Sequence, residues 1–532
     1  LPSLGPYKQV IMKTKHIFVS AAAIFAAAPL FSQGIDQSVE VTNEYETRFS
    51  DFQKNQVAGS VPDSLYRFDY NFDYSVFDSP YKGAYDFTPY EIKLTPEPVP
   101  YDGRLLYARA GAGYSLHPVL DVTYTPVSQK NVGVSLFNRG SGYAGDTFHD
   151  LSERAGVSGH CHGRFGRLSY TAGYGGIFAG DGVDNSYYNS ADVSVGLASP
   201  DRDGTTFLYK VGASYRYGSD RVKGGSVGEH LVGVGGSFGP IINGRYSVLL
   251  DFDFTSAMLK DGREGFGDRP VNFAVLTPHI RFVLGPADVD AGVRMDYLAA
   301  SSGSFALAPD MRASLELSPL EMKIMAGVGG GRRLNDFYDM KRLNHFYRRQ
   351  AHPDVSHDKI DFYGGLQGRI GPYFQYDFKG GYAIKAGSPL DAPAFGLGFA
   401  DYRLAYADLK MLWLSERLNA DADIRFADVE FDTEAGVYSP AMFSGEFRLT
   451  YNWMKRVYAG VLAQGASSRR AAVTSLESLR GYVDLGLYGE YRIDRMWGVW
   501  LHAGNLACMK IERHPGYVEK GPYFTLGLSL SL

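Results

Sequence analysis

Residues 523–532 read Tyr523-Phe524-Thr525-Leu526-Gly527-Leu528-Ser529-Leu530-Ser531-Leu532. Phe524, Leu526, Leu528, Leu530 and Leu532 share one face of an extended strand, while Tyr523, Thr525, Gly527, Ser529 and Ser531 share the other. The first face is apolar to its last residue and requires an apolar neighbour. The second is small and polar. A closed antiparallel β-barrel in a bilayer satisfies both, with lipid outside and water or polar filling inside.

The same alternation recurs upstream. From Arg104 onward it divides the chain into about 22 segments (20 to 24), the first centred near Ala110 and the last near Leu528. Val289, Ala291, Val293, Met295 and Tyr297 point one way, and Asp288, Asp290, Arg294 and Asp296 the other. Leu418, Ala420, Ala422, Ile424 and Phe426 likewise oppose Asn419, Asp421, Asp423 and Arg425. A charge on the lipid face costs roughly 2–4 kcal/mol near the midplane, so these charged faces are expected to line the lumen. Connection lengths alternate in phase. Gly163–Arg167, Gly285-Pro286, Gly371-Pro372 and Asp494-Arg495 read as short turns, whereas 140–153, 260–270, 334–358, 388–400, 467–479 and 511–521 read as long loops. Short turns on one side and long loops on the other are the pattern of an outer-membrane barrel, and no fixed repeat suggests a propeller.

Composition fits this class. Aromatic residues make up 14% of the chain and glycine is abundant. The net charge of −5 gives no reason to expect nucleic acid. After the N-terminal region, no stretch is apolar for long enough to form a membrane helix.

The N-terminal region differs. From Met12 the chain reads as a secretory signal: Lys13 and Lys15, an apolar stretch of 14 residues from Ile17 to Leu30, and Ser32 before a cut that leaves Gln33 first. That stretch is short of the roughly 20 residues a membrane helix needs. Three parts are therefore expected: 1–32, upstream residues and signal; 33–102, an arm; and 103–532, the barrel. Residues 34–102 carry 13 Asp and Glu against 5 Lys and Arg, with Pro80, Pro89, Pro96, Pro98 and Pro100 opposing regular structure and no sustained period. The arm is read as periplasmic or lumen-filling. Its aromatic residues Tyr66, Phe68, Tyr70, Phe72, Tyr74, Phe77, Tyr85 and Phe87 are candidate anchors.

Gly489-Glu490-Tyr491-Arg492, Asn505-Leu506 and Gly516-Tyr517, followed by the Gly527-containing strand, resemble the closing segment of TonB-dependent outer-membrane receptors. Lys520-Gly521-Pro522 stands where that family usually has Pro-Gly-Arg, and Leu532 stands in place of a terminal aromatic. The resemblance covers about a tenth of the chain. It implies a receptor-type barrel of the kind common in Bacteroidota, in the outer membrane of a Gram-negative cell. A receptor plug usually takes more than roughly 100 residues, and the 69 residues of 34–102 leave no room for a complete one. Ser38-Val39-Glu40-Val41-Thr42 resembles the short motif that engages the TonB coupling protein, and reads equally as a polar extended segment.

The segment 334–358 is basic and aromatic. Tyr338, Lys341, Arg342, His345, Phe346, Tyr347, Arg348 and Arg349 are candidate contacts for a partner or for lipopolysaccharide phosphate, on a solvated loop folding over the pore mouth. His345, His352 and His357 lack a metal-ligand pattern. His160 and His162 face the lumen and Cys161 the lipid, so the three cannot converge on one ion. Cys508 is read as lumen-facing on its strand, and both cysteines as free thiols. No cofactor, metal or nucleophile motif is expected, and the chain is read as a non-enzyme.

Two functions remain. The favoured one is a transport or diffusion channel for hydrophilic solutes, with the arm as partial plug and the Asp- and Arg-lined wall as filter. The alternative is a non-conducting structural or assembly subunit that docks a periplasmic or surface lipoprotein through arm and loops.

Overall fold

The computed structural model describes residues 105–532, except 130, 182–184, 201–205, 223–224, 243–244, 263–268, 301–302, 351–352, 394–395, 474 and 520. The signal segment, the arm with its aromatic residues, the Ser38–Thr42 stretch and His352 lie outside the described residues.

Twenty-two antiparallel strands form one sheet that closes on itself. The first, Leu106–Tyr114, pairs with the last, Tyr523–Ser531, in a register running from Tyr107 opposite Ser531 to Tyr114 opposite Phe524. Closure leaves no sheet edge, which a bilayer requires because it offers nothing to bond an exposed backbone group. The count and the order match the alternation in the sequence. Sidedness matches too: Phe524, Leu526 and Leu528 are exposed outward, while Thr525 and Ser529 are buried within. Val293 and Tyr297 likewise face out, with Arg294 and Asp296 inside. Arginine in place of Val293 is therefore expected to destabilise the barrel in liposomes by about 2–4 kcal/mol. Urea unfolding measures this, and a change below about 0.5 kcal/mol would remove lipid from that face.

Strand lengths are uneven. Those flanking the seam have 8 to 11 residues, as in Val119–Ser128, Phe443–Trp453 and Trp497–Gly504, close to the 9–11 that cross a bilayer. Gly225–Ile242, Phe374–Ala392 and Gly396–Leu414 have 18 or 19 and project past it. This corrects two expected loops. Residues 140–153 are mostly strand, in Val132–Ala144 and His149–Gly163, and 388–400 mostly continues Phe374–Ala392 and Gly396–Leu414. Beyond the bilayer both faces meet polar surroundings, so pairing continues after alternation has stopped.

Short turns gather at one end of the barrel and longer connections at the other, here called the turn end and the loop end. At the turn end Gly285 and Gly371 adopt left-handed φ of 62° and 63°, a conformation that favours glycine. Cys508 lies in a turn and not on a strand: its strand stops at Gly504, and Asn505 and Cys508 take positive φ of 47° and 53°. Asn505, the first residue of the Asn-Leu pair, ties that turn together. Its amide donates to the Met509 and Gly521 carbonyls at 2.8 and 2.9 Å, and its backbone N–H donates to Asp484 at 2.7 Å. Cys161 and Cys508 are both free and exposed.

Candidate functional site

The connection 335–354 joins Met322–Leu334 to Val355–Ile370 and carries a helix, Phe337–Leu343. Asp336 caps it by accepting from the Asp339 N–H at 2.7 Å. Phe337 and Met340, one helical turn apart, face the same way and are buried. Such a stripe needs an apolar partner, and the inner wall at the loop end provides one. Phe337, Met340 and Tyr347 pack with Tyr188, Val227, Leu259 and Leu397 from four different strands. The connection folds into the barrel.

Polar contacts fix it there. Glu229, on the strand Gly225–Ile242, accepts from the Phe337 and Tyr338 N–H groups at 3.0 and 3.3 Å, placing a wall carboxylate at the helix N-terminus. The Lys341 ammonium lies 2.8 Å from an Asp220 oxygen and donates to the Ser186 hydroxyl at 2.6 Å. Lys341 and Asp220 are both fully enclosed. Burial lowers the pKa of Lys341, and Asp220 opposes that shift. Burial, with Asp339 and Glu229 nearby, holds the Asp336 carboxyl well above the ordinary carboxylate range. His345 meets Asp150 at 2.6 Å, Arg349 lies 3.6 Å from Asp261, and Phe346 stacks on Tyr517 at 3.5 Å.

The expected solvated loop is thus corrected. Lys341, Phe346, Tyr347 and Arg349 are buried, Tyr338, Arg342, His345 and Arg348 are half-buried, and the segment crosses the lumen. The Asp336 cap and the Phe337/Met340 spacing are a local helix signal that the loop reading passed over. Nothing local marks the wall residues Asp220, Ser186 and Glu229. His345 faces Asp150 on the inside, whereas His357 sits on the next strand opposite Arg332.

Other loop-end connections turn inward and meet at Asp391. Its carboxylate accepts from the Asn344 amide at 2.9 Å and from Arg469 at 2.8 Å, and His514 lies 3.5 Å away. Its carbonyl accepts from the Tyr438 N–H at 2.9 Å. Four connections are therefore joined at one strand end. His514 belongs to a two-stranded ribbon, Ile511–His514 with Tyr517–Glu519, that the alternation did not reveal.

The charged wall lies largely towards the turn end. Asp288 pairs with Arg281 at 2.5 Å, and Asp290 with His279 at 2.8 Å and Arg312 at 3.4 Å. Asp423 pairs with Lys410 at 3.6 Å, Arg425 with Asp408 at 3.3 Å, and Asp421 lies 4.0 Å from Arg448. These contacts run between neighbouring strands and form two short ladders of alternating charge on the inside, one across Arg269–Leu284, Ala287–Ala299 and Ser304–Leu317, the other across Gly396–Leu414, Leu418–Phe431 and Phe443–Trp453. Arg294 and Asp296 differ. Both are buried, with Arg332 bonded to the Asp296 carboxylate and Arg294 donating to the Arg332 carbonyl at 2.7 Å. They hold the wall together and cannot meet a solute.

Solved structures share this architecture. The copper transporter OprC aligns with a TM-score of 0.60 and 13% identity over 80% of each chain. The siderophore receptor PiuA from Acinetobacter baumannii aligns at 0.61 and 10%, over 81% of this chain and 82% of that one. The FrpB iron transporter from Neisseria meningitidis aligns at 0.63 and 8%, over 80% and 81%. The barrel is TonB-dependent-receptor-like in fold. At such identities the likeness extends to the fold and no further. No protein-family model matches the sequence, and no curated protein matches it.

Proposed function

We propose that the chain is an outer-membrane transport barrel for hydrophilic solutes, of Bacteroidota type, with its turn end in the periplasm and its loop end outside. The continuous apolar outer face and the receptor-like closing segment support the location. The observation that carries the function is the pairing of a charged, ion-paired inner wall with a latched loop across one mouth. A barrel of 22 strands encloses a space that must either be filled or conduct. The wall selects by charge, the 335–354 loop covers part of the outer mouth and the arm fills part of the lumen, so loss of either raises the frequency of opening.

Planar-bilayer conductance of the mature protein, beside a form lacking residues 34–102, tests it. The intact protein is expected to be closed or nearly so, and the shortened form to conduct at least tenfold more often. If the shortened form and a form with the 335–354 latch broken both stay closed, transport is refuted and a structural subunit that docks partners takes its place.

A further inference from the structure

Seven inward-facing residues beside the seam form a wall of rings and charges near the turn end. Tyr107 and Arg109 lie on the first strand, Trp500 on Trp497–Gly504, Tyr488, Glu490 and Arg492 on Tyr482–Arg492, and Tyr458 on Val457–Ala466. The register makes them neighbours: Glu490 is opposite both Trp500 and Tyr458, and Gly527 is opposite both Trp500 and Gly111. Arg109 lies 3.8 Å over the Trp500 ring and Arg492 4.9 Å over that of Tyr458. Trp500 is flat against the backbone, and a Cβ at Gly527 would come within 2.3 Å of its ring.

These rings face a wide lumen yet are covered. Tyr107 is 4% exposed, Trp500 2% and Tyr458 1%. At similar depth elsewhere the wall is mixed: the side chains of Lys410, Arg281 and Asp421 are 67%, 50% and 43% exposed, whereas those of Arg448 and Glu446 are 12% and 5% exposed. The Tyr458 hydroxyl is enclosed and has no hydrogen-bond partner among the described residues.

From this wall we infer a docking surface for the chain's own residues 63–90. The described chain starts at 105, two residues before Tyr107, so the arm is joined to the barrel beside these rings. Twenty residues reach at most about 70 Å, ample for residues 63–90 to return along the wall. Within the otherwise aperiodic arm, residues 66–74 read Tyr-Arg-Phe-Asp-Tyr-Asn-Phe-Asp-Tyr. Every even position is aromatic, and the odd ones are Arg67, Asp69, Asn71 and Asp73. An extended chain turns these into two faces. The aromatic face packs on Tyr107, Tyr458 and Trp500, and the net acidic face turns to the lumen, towards cations such as Arg139 and Arg154. Rings supply large contact area at little cost in side-chain freedom, which suits a segment that orders only on docking. The inference deepens the plugging role of the arm and holds whether or not the barrel transports anything.

Two measurements test it. In the first, the photo-crosslinking residue p-benzoylphenylalanine is placed at position 488 of the full mature protein, with position 410 as the control. The expected product from 488 is an intrachain crosslink to a peptide within 63–90, at least fivefold more abundant than from 410. Crosslinks from 488 only to barrel strands, to a co-purified protein or to nothing would overturn the inference. The second uses the four tryptophans, of which Trp413, Trp453 and Trp497 face outward. With those three changed to Phe, iodide quenching reads Trp500 alone. Removing residues 34–102 is expected to raise its quenching constant at least threefold, and an equal constant in the two forms would also overturn the inference. The crosslinking experiment needs no deletion, so a shortened form that fails to fold leaves the inference open to refutation.

Discussion

Alanine in place of Lys341 is expected to release the 335–354 loop and open the barrel mouth. The ammonium and the Asp220 carboxylate are both sealed from water, joined at 2.8 Å and shared with the Ser186 hydroxyl. Removing one partner of a buried pair strands the other charge and typically costs about 3–5 kcal/mol. The loop also holds the wall through Glu229 at its helix start and through ring contacts, but each is weaker than the stranded carboxylate. Asp220 regains water most readily if the loop swings out. Single-channel recordings should then show openings at least ten times as frequent, and limited proteolysis should cut within 335–354 where the native protein resists. Lys341→Met combined with Asp220→Leu removes both charges and should recover much of the closed state, since an apolar pair of similar volume is often tolerated where one stranded charge is not. Unchanged conductance and an unchanged cleavage pattern in Lys341→Ala would show that this pair does not hold the loop.

The second large effect is expected at Asp391. Its carboxylate receives Asn344 from the helical loop, Arg469 from the 467–481 connection and His514 from the ribbon. Asp391→Ala should therefore loosen three connections together, where most single changes loosen one. Losing charge-assisted bonds to a buried arginine costs about 3 kcal/mol, equivalent to roughly 100-fold faster hydrogen exchange in the parts released. Exchange should accelerate in 467–481 and 511–519, while the strands at the turn end keep their protection. Asp391→Asn should fall between, since it keeps an acceptor but loses the charge. Acceleration confined to 335–354 would mean that the three connections are independent.

Much of the barrel could be read from alternation because lipid and lumen impose opposite demands on successive residues. Val293 and Arg294 differ in side for that reason alone, as do Leu528 and Ser529. Where those demands stop, so does the signal. Residues 140–153 and 388–400 are paired strand, yet their composition reads as loop. Cys508 was placed on a strand because the residue types around it suit one, whereas the left-handed backbone at Asn505 had already turned the chain. The mouth was harder still. Its helix start at Asp336 is a local signal that the loop reading passed over, and Asp220, Ser186, Glu229 and Asp391 come from distant strands that only the closed barrel brings together. The charged ladders were legible as faces, and their division into solute-facing pairs and the walled-in Arg294 and Asp296 was not.

The seam has a consequence for how such a chain is made. The strand Leu106–Tyr114 finds its second neighbour only in Tyr523–Ser531, at the far end of the described chain. Every intermediate length is an open sheet with two unsatisfied margins, both prone to join another molecule. Closing the ring brings together segments at the greatest sequence separation, so it comes late and slowly. The cell must therefore shelter an unfinished ribbon until the closing strand arrives. A truncation that removed that strand would yield no smaller pore, but a sticky sheet destined for aggregation or proteolysis.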